Sequence, residues 1–241
     1  MPHFCGGMEI YMGPIGIIGA MSDEVSGLIS RLQNHKCEKV GGIEFHTGTM
    51  FSKNVVIAQC GVGKVFAAMC AEAMIIKYNP SLLVNTGVGG AIAEGLSCAD
   101  IVVADKLVQH DMDTSPLGDP KGMISGINKI YFEADTRASD ILLDAAANLG
   151  IPAKRKTIAS GDVFVASGEL KSKIASEFSA AVCEMEGAAI AQVAYVNSVP
   201  FAVVRAISDS ADGNSPMDFP TFLKIAVKSS ESLTLALVEK Y

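Results

Sequence analysis

The sequence predicts an α/β fold of three layers, α/β/α, in which a mixed, mostly parallel central sheet forms a single domain. Three observations carry that prediction. Short β-branched runs alternate with stretches of helical periodicity along most of the 241 residues. No Pro-, Gly- or Ser-rich linker divides the two halves, and neither internal repeats nor low-complexity tracts occur. Finally, 49% of the residues are apolar and 19% charged, enough apolar material for one sizeable core and too much for a disordered chain.

In chain order, residues 1–13 read as an extension and residues 14–241 as the domain. Ile15 to Ala20 is a β-branched run closed by Gly19, and Ser22 and Asp23 then stand ahead of Val25, Leu28 and Ile29 at helical spacing. Ile43 to Met50 and Asn54 to Cys60 read as strands, Val65 to Tyr78 as a helix stopped at Asn79-Pro80, and Ser81 to Thr86 as a buried strand followed by Gly-rich turns. Asp100 to Val108 is the next strand. The irregular stretch from His110 to about Ile127, with Pro116 and Pro120, is long enough to suggest a functional loop. The second half reads as helix Asp135 to Leu149, strand Ala153 to Ala159, helix Glu169 to Phe178, strand Ala181 to Met185, helix Glu186 to Asn197, strand Pro200 to Ser208 and a last helix from about Phe219 to Glu239.

Composition excludes several classes of function. Nineteen basic against 26 acidic residues give a net charge of −7, and the arginines are Arg31, Arg137, Arg155 and Arg205 alone, so a nucleic-acid partner is not expected. The longest apolar stretch, Val65 to Ile76, contains Glu72 and falls short of the roughly 20 residues that span a bilayer. Glu9 sits in the N-terminal segment and no Lys or Arg precedes Arg31, so the basic region of a signal peptide is missing and the expected location is cytoplasmic. The six cysteines form no C-x-x-C pair and are expected as small buried hydrophobes. His110-Asp111-Met112-Asp113 has no second histidine cluster to complete a metal site, so no metal is expected; His3, His35 and His46 receive no role.

Ligands of such sheets gather at the carboxyl ends of the strands. Polar residues stand there that an apolar run has no structural reason to supply: Glu24, Asn85-Thr86-Gly87, Glu184-Met185-Glu186 and Arg205 to Asp209. Glu184 and Glu186 are two apart, hence on one face if the strand continues, and Glu186 is also placed to begin a helix. Gly61-Val62-Gly63-Lys64 completes neither a dinucleotide fingerprint nor a P-loop, which leaves a tight turn or a backbone approach to a ligand.

The segments Ile15 to Glu24, Gly61 to Lys64, Asn85 to Gly87, Asp100 to Asp105, Ser160 to Phe164, Val182 to Glu186 and Val203 to Asp209, in that order, resemble the 5'-methylthioadenosine/S-adenosylhomocysteine nucleosidases of the purine nucleoside phosphorylase superfamily. The resemblance implies hydrolysis of an adenine nucleoside without a cofactor, in methionine salvage, by a homodimer in which the loop from His110 reaches near the partner's pocket. It implies that Glu24 deprotonates the attacking water, Asp209 protonates the leaving adenine, Glu186 holds the ribose hydroxyls and Arg205 orders Glu24 and the water, with Glu184 behind them. Phe164 would stack on the purine and Val165 bond its edge, Met21 and Met185 would wall the ribose, Phe219 would pack on the 5'-alkylthio group, and Ser208 and Val88 would complete the substrate contacts. Two departures stand out: Val88 replaces a hydroxyl residue frequent in the family, and Asp113 to Leu117 replaces a phenylalanine-bearing sequence. A nucleoside phosphorylase, a futalosine hydrolase and a non-catalytic nucleoside-binding module are the alternatives.

Overall fold

The computed structural model describes residues 13–209 and 219–241, with the side chains of Asp209 and of residues 219–223 outside that description. The elements follow the expected alternation. Strand β1 (Ile15–Gly19) leads to α1 (Ser22–Ile29), then β2 (Gln33–Val40), β3 (Ile43–Met50), β4 (Lys53–Gln59), α2 (Lys64–Tyr78), β5 (Leu82–Ala91) and β6 (Ile101–Gln109). After the long loop come β7 (Tyr131–Glu133), α3 (Thr136–Asn148), β8 (Ala153–Ser160), α4 (Gly168–Phe178), β9 (Ala180–Glu184), α5 (Gly187–Val196), β10 (Phe201–Asp209) and α6 (Phe219–Lys240).

All ten strands join one mixed sheet, half of whose pairings are parallel. Strands β4, β1, β5 and β10 run parallel through its middle, and β3 and β2 extend it as an antiparallel hairpin. The other side closes on itself: β10 pairs β6, β6 pairs β8, β8 pairs β9, and β9 returns to the end of β5, which already pairs β10. Apolar side chains cover both faces. Ala67, Cys70, Ala71 and Met74 of α2 and Ala188 to Ala194 of α5 pack on one, and Val25 and Leu28 of α1, Leu142 of α3 and Leu233 and Leu237 of α6 on the other.

Three elements differ from the sequence reading. Strand β2, QNHKCEKV, carries no apolar alternation and is exposed along almost its whole length. It exists because Gly41 and Gly42, at φ 58° and 87°, make the two-residue turn that suits a hairpin and lay it against β3. Strand β5 continues through Gly87-Val-Gly-Gly-Ala91 where turns were expected. Glycine there answers to space: a Cβ on Gly87 would lie 2.4 Å from Glu24 Oε1, and one on Gly89 2.6 Å from Val182 Cγ1. Short β7 was not foreseen either.

The cysteine expectation also needs correction. Among the described residues none is in a disulfide, and Cys60, Cys70 and Cys183 are buried, but Cys37 is exposed on β2 and Cys98 is only half-buried. No helix among the described residues is long and apolar enough to cross a membrane.

Strand β5 is tied to α6 by a polar contact inside the apolar layer. Thr234 Oγ1 lies 3.1 Å from Thr86 Oγ1 and donates to Ser230 O at 2.8 Å, and both threonines are buried. Thr234→Val keeps the volume and removes the hydroxyl, so it should cost about 1–3 kcal/mol of stability, seen as a lower urea midpoint at unchanged m.

Candidate active site

A cavity of about 220 Å³ opens where the carboxyl ends of β1, β5, β9 and β10 converge. Its lining includes Met21 and Glu24 after β1, Val88 to Gly90 of β5, Val163 to Val165 after β8, Glu184 to Glu186 after β9, and Ser208 of β10. Nine residues singled out in the sequence therefore meet at one place: Met21, Glu24, Val88, Phe164, Val165, Glu184, Met185, Glu186 and Ser208. The role expectations for Asp209 and Phe219 fall on side chains outside the described residues, although Asp209 ends β10 in register with Gly90.

Glu24 enters the cavity from the first turn of α1 and is fixed by the backbone. Its Oε2 accepts from Ala20 N at 2.7 Å and Met21 N at 3.0 Å, and its Oε1 accepts from Val88 N at 3.1 Å. A carboxylate offers about four lone-pair sites, so three N–H donors leave one for a further donor. Burial raises the Glu24 pKa above the ordinary glutamate value, against the opposing pull of Arg205 and the three backbone donors.

Glu186 stands immediately before α5, as the sequence predicted, but its carboxylate reaches across to the glycine turn instead of capping its own helix. Its Oε1 accepts from Gly63 N at 2.9 Å, and Lys64 N donates to Asp162 Oδ1 at 2.7 Å. The Gly61 to Lys64 turn thus spends two N–H groups at the start of α2 on protein carboxylates, where the helix dipole favours negative charge. Among the described residues Oε2 of Glu186 has no hydrogen-bond partner, and the side chain lines the cavity. Burial, and next the charge of Glu184, push the Glu186 carboxyl up to about 7.

Arg205 lies behind the cavity wall, 1% exposed. Its Nη2 donates to Glu184 Oε2 and to Asn85 Oδ1, and its Nη1 donates to Val204 O at 3.0 Å and Asn85 O at 3.3 Å. The sequence reading placed this guanidinium on Glu24 and the water. Its hydrogen bonds among the described residues go to Glu184, Asn85 and Val204 O, and Glu24 feels it only as a nearby positive charge. Glu184 spends its remaining capacity on Ser160 Oγ, on Glu186 N at 3.2 Å and on Gly187 N at 2.7 Å. Ser160 in turn accepts from Ala188 N at 2.7 Å, and Asn85 Nδ2 donates to Ile18 O at 2.9 Å.

Sequence reasoning assigned no role to Ser160 or to Lys171, which also lines the cavity. A serine ending a strand and a lysine in a polar helix carry no signal of their own. Asn85 is legible in sequence as a polar strand end, but its service to Arg205 becomes visible only with β5 beside β10. His110 and Asp111 join this side of the molecule as well: Lys64 Nζ pairs with Asp111 Oδ1 at 2.6 Å, and Asp111 Oδ2 accepts from Asp162 N at 2.9 Å. The base of the long loop is thereby fastened to the turn that begins Val163 to Val165.

Chemically, the cavity holds a carboxylate pinned by three N–H donors with one lone pair to spare, a second with a whole oxygen to spare, and apolar walls from Met21, Val88, Phe164 and Met185. Such a site can take a proton from water at the first acid and accept hydroxyl donors at the second. Phe164, 74% exposed at the rim, offers a ring face to a flat heterocycle.

The family model of the phosphorylase superfamily matches residues 14–239. Among curated relatives, the 5'-methylthioadenosine/S-adenosylhomocysteine nucleosidase of Haemophilus influenzae strain PittEE is 38% identical over 227 residues, 94% of this chain and 99% of that protein. Among solved structures, the nucleosidase of the same description from Neisseria meningitidis, in complex with methylthio-immucillin-A, superposes with a TM-score of 0.90 at 31% identity, covering 95% of this chain and all of that one. Futalosine hydrolase of Helicobacter pylori strain 26695 superposes with a TM-score of 0.89 at 33% identity, covering 95% of this chain and 99% of that one.

Two outcomes follow from the site's geometry. Gly87→Ala drives a methyl into Glu24 Oε1 and should lower kcat/KM by about 10- to 100-fold with the circular dichroism spectrum retained. Because the Glu186 carboxyl titrates near 7 when folded and near 4.3 when unfolded, the folded chain holds a proton the unfolded one has lost between those values. Stability should therefore fall as pH rises across that window, by up to about 4 kcal/mol, and Glu186→Gln should flatten the slope in urea unfolding curves taken at about pH 5 and about pH 8.

Proposed function

The chain belongs to the phosphorylase superfamily, and from its site we propose that it hydrolyses the N-glycosidic bond of 5'-methylthioadenosine and S-adenosylhomocysteine, releasing adenine and a 5-thioribose product. The observation that carries this reading is the placement of Glu24 and Glu186 in one cavity, each with acceptor capacity unspent. Breaking the bond from ribose to the base leaves positive charge on the sugar, so a carboxylate beside the sugar stabilises the transition state as well as taking a proton from the incoming water. Glu24 fills that place, and Glu186 Oε2 receives the ribose hydroxyls. Asp209, the next residue of β10 after the cavity-lining Ser208, protonates the base as it leaves. For that task its pKa must stand above the usual value of about 3.9. Arg205 acts through Glu184, which takes N–H bonds from Glu186 and Gly187 and so sets where Glu186 begins α5.

Water rather than phosphate is the nucleophile in this reading. Among the described residues the one cation lining the cavity is Lys171, while Glu24, Glu184 and Glu186 present three carboxyls, an arrangement that repels an oxyanion and tolerates a neutral nucleophile. No cofactor takes part. The futalosine hydrolase likeness keeps a second hydrolytic substrate in view, since the same acids serve any purine nucleoside whose base and 5' group fit.

The role extends to methionine salvage and the recycling of S-adenosylmethionine by-products in the cytoplasm, and the working form is a homodimer. Val62, Val65, Met69 and Ile76 make an exposed apolar stripe along α2 and the turn before it, suited to a second copy of the chain, and Leu117 on the long loop is 83% exposed. Val62 lines the cavity too, which places part of that stripe at the pocket itself.

Purified protein should release adenine and a free thioribose from methylthioadenosine at equal rates with and without phosphate. Dependence on phosphate would overturn the hydrolytic reading, and preference for futalosine in the same panel would reassign the substrate. Glu24→Gln and Asp209→Asn should each lower kcat by at least about 100-fold, measured as adenine released under saturating substrate. Binding without turnover in the unaltered protein would mark a nucleoside-binding module.

A further inference from the structure

The β2–β3 hairpin brings together side chains that the reaction does not use. Cys37 is directly opposite His46 in the ladder, and Glu44 precedes His46 by two, so all three project from the same face. One ligand atom each of Cys37, Glu44 and His46 lies within 4.8 Å of the others. Behind them His35 stacks on His46 at 5.1 Å between centroids, with its Nε2 2.9 Å from His46 Nδ1. In sequence this is His-x-Cys and Glu-x-His flanking the turn at Gly41-Gly42.

We propose that Cys37, Glu44 and His46, oriented by His35, form a binding site for a divalent transition-metal cation of the zinc class. A thiol, an imidazole and a carboxylate are the donors that borderline-soft cations take, whereas calcium and magnesium call for oxygen ligands alone. Ligands around tetrahedral zinc stand roughly 3.3–3.8 Å apart, which a small rotation of these exposed side chains reaches from the present separation. His35 supplies what a ligating imidazole needs at its other nitrogen. With the Nδ1 proton of His46 donated to His35, the Nε2 lone pair is left for the cation. Three protein ligands leave the fourth position to water. Lys39 stands opposite Glu44 on the same side of the hairpin, a positive charge that the bound cation must tolerate. The cation holds edge strand β2, which among the described residues pairs only with β3, to its neighbour through side chains as well as through the ladder.

Full-length protein stripped with chelator and titrated with cobalt(II) chloride should take up one equivalent with a near-ultraviolet sulfur-to-cobalt charge-transfer band, which zinc(II) chloride displaces. Cys37→Ser should abolish the band, His46→Ala should weaken zinc binding by at least about 100-fold, and His35→Ala should weaken it by about 10-fold while keeping the band. Adenine release from methylthioadenosine should be unchanged in Cys37→Ser, which separates this site from the hydrolytic one. A band that survives Cys37→Ser, uptake other than one equivalent, or zinc affinity unchanged in His46→Ala would overturn the proposal.

Discussion

One buried charge pair, Arg205 with Glu184, sets the position of almost everything else in the cavity. A buried arginine is costly unless its donors find acceptors, and Arg205 spends its two Nη groups on Glu184, Asn85 and two backbone carbonyls, while its Nε has no hydrogen-bond partner among the described residues. Glu184 is held by that cation from one side and by Ser160 and two N–H groups at the start of α5 from the other. A pair of this kind adds little to stability beyond what apolar residues of equal volume would give. What it adds is position, because Glu186 is the residue whose own N–H is bonded to Glu184.

The topology explains why these groups meet. Glu24, Asn85, Glu184 and Arg205 come from four strands or strand ends scattered along the chain, and adjacency is created by β5, which pairs β1, β10 and β9 in turn along its length. That requires a strand thin enough to be approached from several sides. Gly87 and Gly89 provide the thinness, one beside the Glu24 carboxylate and the other beside Val182. The glycines that look like turn formers in sequence are the reason the strand can continue.

This also marks what the sequence made legible. Apolar runs closed by polar residues located nearly every parallel strand and identified Glu24, Glu184, Glu186 and Arg205, because a polar group at the end of a buried strand has no packing reason to be there. Strand β2 was invisible, since an exposed edge strand is made by its turn and its partner and needs no apolar alternation of its own. The cluster of Cys37, Glu44 and His46 went unseen with it. Ser160 and the true partners of Arg205 were illegible for a different reason: hydrogen bonds between residues 21 to 120 positions apart are set by register, and register follows from the assembled sheet.

The same electrostatics that fix the geometry also restrict the chemistry. Glu24, Glu184 and Glu186 surround a single guanidinium, so the buried charges cannot all balance while every acid is ionised. Glu184, in direct contact with Arg205, takes the compensation; Glu186, farther from it and beside Glu184, is left with a carboxyl that titrates near 7. Glu24 is raised too, yet three backbone donors favour its charged form. A cavity with this surplus of negative charge disfavours a phosphate dianion and lowers the energy of a cationic sugar. The surplus that makes the ionised site expensive to fold is therefore the feature that suits it to glycosidic cleavage by water.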